Sequence, residues 1–509
     1  MFMDKLKETL NEEFNVSFTE NGAIGYRTSG TALVDLNFSI TSLRNKSERE
    51  IVDKFVKAFY EDKMLAVKWL FYARDVREGI GERRLFRVCM EYLAKNHLEI
   101  AKAVVPLIPI YGRYDDWFCL FNTELEDLVI EEIKKQLAED MEFMKEEKPI
   151  SLLAKWMPSA NTSSVETKEL ARKIIKKLGI TERQYRKMLS KLRAYLKIVE
   201  TYMSKNEWAA IDYSAVPSRA NLIYNSAFLR NDEERRRGFL ARLVKGEAKI
   251  NASVLFPHDI VHKYGDGSYG VWVNRIKKED TTLEELWKAL PDFANGDSDT
   301  ICVSDGSGSM TIKVGGTKVS ALEVAISLSI YFSERCKGQF KNKYITFSDR
   351  PQLVDFKEAK SLREKIEIAL GYTEVASTNI EAVFELILTT AVKNEMKQAE
   401  MPKKILILSD MEFNSAVSRC NEQLFKTFAK RYEEAGYQLP RIIFWNINSR
   451  TGTIPMKTNE LGVALVSGFS PAVMNIVFSN SRDPFECLVE QLNKERYDAV
   501  EAALIDICK

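Results

Sequence analysis

The chain has 509 residues, which at roughly 100 to 200 residues per domain predicts two to four domains with ample core. Hydrophobic residues make up 45% and charged residues 29%, with 23 Gly and 13 Pro, a composition that excludes a fibrous or largely disordered chain. The 74 basic residues are balanced by 73 acidic ones, so net charge alone points to no partner.

Seven cysteines, an odd number with no C-x-x-C pair, predict a reducing compartment and no disulfide framework. No apolar run approaches the roughly 18 residues of a membrane helix, and the start, MFMDKLKETL, carries charges where a signal peptide needs its apolar stretch. The expectation is a cytoplasmic protein without membrane association.

Residues 1–45 read as an irregular arm, with short-strand character over 14–40. From 46 to 297 apolar residues recur at three-and-four spacing, as in Ile51, Phe55 and Phe59 and again in Leu192, Leu196 and Val199, which predicts helices. No repeat of fixed length is present, and a run of irregular helix pairs, a HEAT-like helical region, fits the pattern. The stretch PDFANGDSD (291–299) reads as a linker. Over 298–509 short apolar runs alternate with helical stretches: TICVSDGSGSM, a helix near 318–336, two strands in KNKYITFSDRPQLVDF, a helix near 379–395, KKILILSDMEF, a helix near 420–435, PRIIFWNIN and GVALVSGF. This alternation predicts an α/β domain, a mostly parallel doubly wound sheet with helices on both faces.

Charge is unevenly placed. Residues 151–250 hold 21 basic against 10 acidic side chains, and the rest of the chain is neutral or acidic. Phosphate contacts by Lys and Arg release counterions and dominate non-specific nucleic-acid affinity. Arg172, Lys173, Lys176, Lys177, Arg186, Lys187, Lys191 and Arg193 are the candidates for an RNA-facing surface; for any one of them a solvated helix face is the alternative.

At the end of the first α/β strand, Asp305, Ser307 and Ser309 form a D-x-S-x-S array, ILILSD ends at Asp410, and Thr378 stands just before a helix. Oxygen donors of this kind suit Mg²⁺ or Mn²⁺ better than zinc; an ordinary turn and a helix cap are the alternative. The array resembles the metal-ion-dependent adhesion site of von Willebrand factor A domains, with Asp305, Ser307 and Ser309 matching its first loop, Thr378 the second and Asp410 the third. Ala376-Ser377 and Met411-Glu412 stand where many members have glycine. The resemblance implies a bound divalent cation with one position open to an acidic residue of a protein partner, a binding site and not a catalytic one. Glu412 reads as a group behind the ligands or as a solvated loop residue.

The front half carries TENGAIGYRTSGTALVDL, FYARDVREGIGERRLFR, IPIYGRYDDW and YRKMLSKLRAYLKIVETYMSKNEWAAIDYSAVPSRA. These phrases resemble an uncharacterised family related in domain order to the TROVE-module Ro autoantigen proteins. That resemblance implies a ring of HEAT-like repeats, closed by the A domain, that binds small noncoding or misfolded RNA as a monomeric ribonucleoprotein scaffold. A metal-dependent protein–protein adaptor without an RNA role is the rival reading.

Within these phrases, Arg74 to Arg83 reads either as a phosphate-binding loop or as buried Arg–Asp pairing. Gly112 to Trp117 reads either as a base-stacking patch or as a cap with a core Trp117. Trp156 and Trp208 are expected in the core. His258 and His262 have the i, i+4 spacing of zinc ligands but lack a third partner. No phosphate-binding G-x-x-x-x-G-K-[ST] loop occurs, no general base accompanies Asp305 and Asp410, and the chain is not expected to be an enzyme.

Overall fold

The computed structural model describes all residues except 1, 23, 266–275, 295–298, 349, 374–378, 414–421, 456–461, 478–482 and 509. The chain forms two compact units, each discontinuous in sequence: Met1–Ala66 with Ala252–Lys494, and Val67–Asn251 with Glu495–Lys509. The composition shifts that delimit 1–45, 46–297 and 298–509 do not coincide with these limits.

The first unit is built on a six-stranded sheet. Its strands are β3 (Thr300–Asp305), β4 (Lys343–Phe347), β5 (Leu353–Asp355), β6 (Lys404–Ser409), β7 (Arg441–Asn446) and β8 (Ala464–Ser467), in the order β5-β4-β3-β6-β7-β8. Every pairing is parallel except that of β5 with β4. The central runs ILIL of β6 and IIFW of β7 are buried throughout, as strands covered on both faces must be. Ile301, Val303, Ile405, Ile407, Ile442 and Phe444 form one side of the core with Phe384 and Phe428. The helix Ala321–Arg335 begins at a capping box in which Ser320 and Glu323 exchange side-chain and backbone bonds.

The N-terminal arm belongs to this unit. It contains a helix, Phe2–Glu13, that the sequence reading leaves out, and an antiparallel hairpin of β1 (Val16–Phe18) and β2 (Ile24–Tyr26). Tyr26 bridges to Ile454, and Val34 and Phe38 enter the sheet's core. The helix Thr281–Lys288 is also docked here, its Trp287 indole N–H donating to Glu334 at 2.6 Å.

The second unit is helical. Arg83–Asn96 buries Leu85, Phe86, Cys89, Met90 and Leu93 on one stripe, and Ser164 and Thr181 cap the helices Val165–Leu178 and Glu182–Tyr195. The segment 495–509 returns to it: Tyr497 stacks on Tyr111 with ring centroids 5.6 Å apart, and Glu501 pairs with the buried Lys68 at 2.6 Å. Trp117 is buried as expected, with its indole bonded to the Val105 carbonyl. Trp156 and Trp208, expected in the core, are only half-buried: Trp156 lies under the Arg113 guanidinium, 4.7 Å from its ring, and Trp208 sits in a three-residue turn with no buried residue. Among the described residues no helix is long and apolar enough to cross a membrane.

Candidate functional site

Asp305 closes β3, and Ser409 and Asp410 close the neighbouring β6, where parallel pairing sets Ser304 opposite Leu408. Neighbouring strands therefore deliver both carboxylates to one edge of the sheet, where such folds hold their ligands. Asp305 is fully buried. Its Oδ1 accepts from the Ser307 amide at 2.9 Å and its Oδ2 from the Ser409 hydroxyl at 2.6 Å. The Ser307 and Ser309 hydroxyls lie 3.0 Å apart. Burial, and after it the charge of Asp410, push the Asp305 carboxyl up to about 7. Burial raises Asp410 as well, against the Ser309 hydroxyl and Arg450.

Asp305, Ser307, Ser309 and Asp410 are thus brought together; Thr378, with Ala376 and Ser377, lies outside the described residues. Two buried carboxylates that disfavour each other's charge beside two hydroxyls make an oxygen-only donor set that fits a hard divalent cation. Among the described residues no cluster of three or more His, Cys, Asp or Glu suits a metal, so any cation here relies on hydroxyl oxygens.

The loop after β6 is held by Met411 and Glu412, which the sequence singles out, and by residues of the arm and Arg450, which it does not. Met411 has φ +62° and is buried in the sheet's core, so the backbone takes the left-handed turn for which glycine is usual and still keeps a core side chain. Glu412, for which a solvated position was one expectation, is fully buried. Its Oε1 accepts from the Arg450 and Thr451 amides at 2.8 and 3.1 Å, and its Oε2 from the Glu20 amide at 2.8 Å. Thr19 and Asn21 donate to the Phe413 and Glu412 carbonyls. Arg450 spans the loop and the arm, with Nη1 3.2 Å from Asp410 and Nη2 2.6 Å from Glu20. Nothing in the local sequence around Arg450 or Glu20 signals this, because the contacts join segments about 400 residues apart.

The basic candidates lie on two helices of the helical unit and divide into groups. Lys173 is neutralised by Glu126 at 2.6 Å and Lys177 by Asp127 at 2.6 Å. Arg193 is half-buried and spends its guanidinium on the Ala154 and Met157 carbonyls and the Ser159 hydroxyl; it is a structural residue rather than part of an exposed patch. Arg186 reaches Glu182 only at 3.9 Å. Arg172, Lys176, Lys187 and Lys191 are exposed, and among the described residues no carboxylate pairs with them.

The 74–83 and 112–117 segments resolve to ion pairing and a cap. Arg74, 1% exposed, donates to Asp116 at 2.8 Å through Nε, and Arg87 donates to the other Asp116 oxygen at 2.8 Å. Burial alone would raise the Asp116 carboxyl, but Arg74, Arg87 and the Arg113 amide outweigh it and hold it below its ordinary value. Gly112 leaves room for this: a Cβ there would stand 2.5 Å from Asp116 Oδ2. Asp75 likewise holds Arg496 through paired hydrogen bonds and accepts from the Tyr497 hydroxyl. Of the two histidines, His262 turns Nδ1 to Glu323 at 2.8 Å, while His258 packs against Phe469 with centroids 5.5 Å apart.

These features define a chain that joins a helical unit to an α/β sheet with an oxygen-rich strand-end array. Residues 19–108 and 125–292, just over half of the chain, match the family model described as domain of unknown function DUF2828, and 299–503 match domain of unknown function DUF7788. The chain belongs to the DUF2828 family. It is 30% identical over 506 residues to the uncharacterized protein L728 of Acanthamoeba polyphaga mimivirus, covering 91% of this chain and 85% of that one. Among solved structures it is similar to the Ro (RSR) protein of Deinococcus radiodurans, with a TM-score of 0.45 and 14% identity over 87% of this chain and 98% of that one.

Proposed function

We propose that this protein is a cytoplasmic RNA-binding scaffold that takes RNA on the basic face of the helices Val165–Leu178 and Glu182–Tyr195. One observation carries the reading: in the block with the chain's whole positive excess, Arg172, Lys176, Lys187 and Lys191 stay exposed and are not neutralised by neighbouring acids. Folding gains little from four such cations, whereas a polyphosphate releases counterions when it meets them. The front-half phrases resemble an uncharacterised family whose domain order is that of Ro-type proteins, and that order supports the same partner, small noncoding or misfolded RNA. In the sheet unit, Asp305, Ser307, Ser309 and Asp410, with Thr378, would hold Mg²⁺ or Mn²⁺ as an A-type domain does, supplying an open position for an acidic residue of a protein partner. The role is binding and not catalysis.

The test is a titration of the whole chain with structured and single-stranded RNA at two salt concentrations, with duplex DNA as competitor. Binding that weakens with salt and resists duplex DNA is expected. Absence of binding at low salt would overturn the RNA reading and leave the metal-dependent protein adaptor.

A further inference from the structure

A groove of 790 Å³ opens in the helical unit where the helices Glu126–Lys145 and Glu182–Tyr195 end. Met144, Glu147, Lys191, Tyr195, Lys197 and Tyr202 line it. Lys191 belongs to the basic face just described; the other five have no role in it.

Two of these residues sit at a steric cost. Glu147 and Lys197 follow the two helix ends with φ of +56° and +50°, the left-handed region that side chains with a Cβ rarely occupy. The neighbouring helix Val165–Leu178 makes the same ending with Gly179, at φ +69°, without that cost. These two turns set a carboxylate and an ammonium at the border of one groove.

The lining also has the composition of a nucleotide site. Two tyrosine rings and Met144 supply an apolar surface, and the Tyr195 ring is fixed before any ligand arrives because its hydroxyl donates to the Lys148 carbonyl at 2.9 Å. Arg183, Lys187 and Lys191 are all exposed and recur every fourth residue, about 6 Å apart along the helix axis, so a basic stripe runs into the groove. An aromatic platform at the end of a cationic track is how proteins hold single strands, whose bases are free to leave the stack. An acidic peptide would satisfy the lysines but leave the rings unused and set its charge against Glu147.

We propose that the groove takes one unstacked base of single-stranded RNA against the tyrosine rings, with its flanking phosphates on Lys191 and Lys197 and its hydrogen-bonding edge toward Glu147; this rests on the RNA reading above. An ionised Glu147 only accepts hydrogen bonds. It favours cytosine, adenine or guanine, which present an exocyclic amino group, over uracil, which flanks its single N–H with two carbonyl oxygens.

The experiment measures fluorescence anisotropy of labelled C8, A8 and U8 oligoribonucleotides and a labelled RNA hairpin with the full chain. C8 and A8 should bind more tightly than U8. Tyr202→Ala should weaken C8 by about 5- to 150-fold, the worth of one base–aromatic stack, while Tyr202→Phe binds normally and hairpin affinity is unchanged. Glu147→Gln should erase the discrimination against U8. If Tyr202→Ala, folded by circular dichroism, binds C8 as the parent does while Lys187→Glu with Lys191→Glu does not, the groove proposal fails and the RNA reading stands. If neither oligomers nor hairpin bind the parent chain, both fail.

Discussion

At the scale of single residues, the chemistry of Asp305 and Asp116 shows how a buried carboxylate takes opposite characters. Burial, and after it the Asp410 carboxylate across the neighbouring strand end, raises Asp305, and the proposed cation would relieve both. Asp305→Ala should therefore abolish thermal stabilisation by Mg²⁺ or Mn²⁺, which for a ligand bound only to the folded state is about 2.7 kcal/mol at a hundredfold excess over Kd; an unchanged metal response in calorimetry would remove the metal assignment. Asp116 is held low by two arginines. A depressed carboxylate contributes stability that is complete above its unfolded value, ordinarily 3.8, and is lost as pH falls through the folded one. Asp116→Asn should cost about 3–5 kcal/mol near neutrality by stranding Arg74, and should flatten the loss of melting temperature below about pH 4. Melting curves across that range decide it.

Residue types at the strand-end array were legible because the D-x-S-x-S spacing is local and its strand is apolar. Arg193 was not: a cation on a basic helix reads as solvated, and only the tertiary placement of the Ala154 and Met157 carbonyls shows where its donors go.

At the scale of elements, strands and helices of the sheet unit follow the apolar runs closely, the strand expected at KKILIL appearing as Lys404–Ser409 and the helix near 379–395 as Ile380–Lys393. Continuous apolar runs bounded by Gly, Asp and Pro leave little freedom. The arm was harder to read, since a hairpin of two three-residue strands carries almost no periodicity and is stable only through its partners. Those partners converge on Glu412. Glu412→Ala would remove the acceptor of the part-buried bonds from the Glu20, Arg450 and Thr451 amides, each worth about 0.5–1.5 kcal/mol. The hairpin of β1 and β2 should then lose amide protection before the sheet does, with hydrogen exchange at Glu20 as the readout; unchanged protection there would show that the arm is anchored elsewhere.

At the scale of the molecule, an overall charge of +1 conceals a strongly basic block confined to the helical unit. Changing Arg172, Lys176, Lys187 and Lys191 together to Glu should reduce the magnitude of the salt slope of single-strand binding by about 3, at roughly 0.7 per phosphate contact. A slope that does not change would move the interface off these helices. The block itself was legible by counting, but which of its members are neutralised was not, because Glu126 and Asp127 lie about 50 positions upstream of Lys173 and Lys177.

The segment 495–509 folds with Val67–Asn251, although the whole of 252–494 separates them in the chain. Asp75 cannot meet Arg496, nor Lys68 meet Glu501, until the ribosome has made the residues 252–494 that lie between. The helical unit is therefore left incomplete while those residues are made, with Asp75 waiting for Arg496 and Lys68 for Glu501. At an elongation rate of about 5–20 residues per second, it must wait tens of seconds for its last piece, an interval in which nascent-chain chaperones have the most to do.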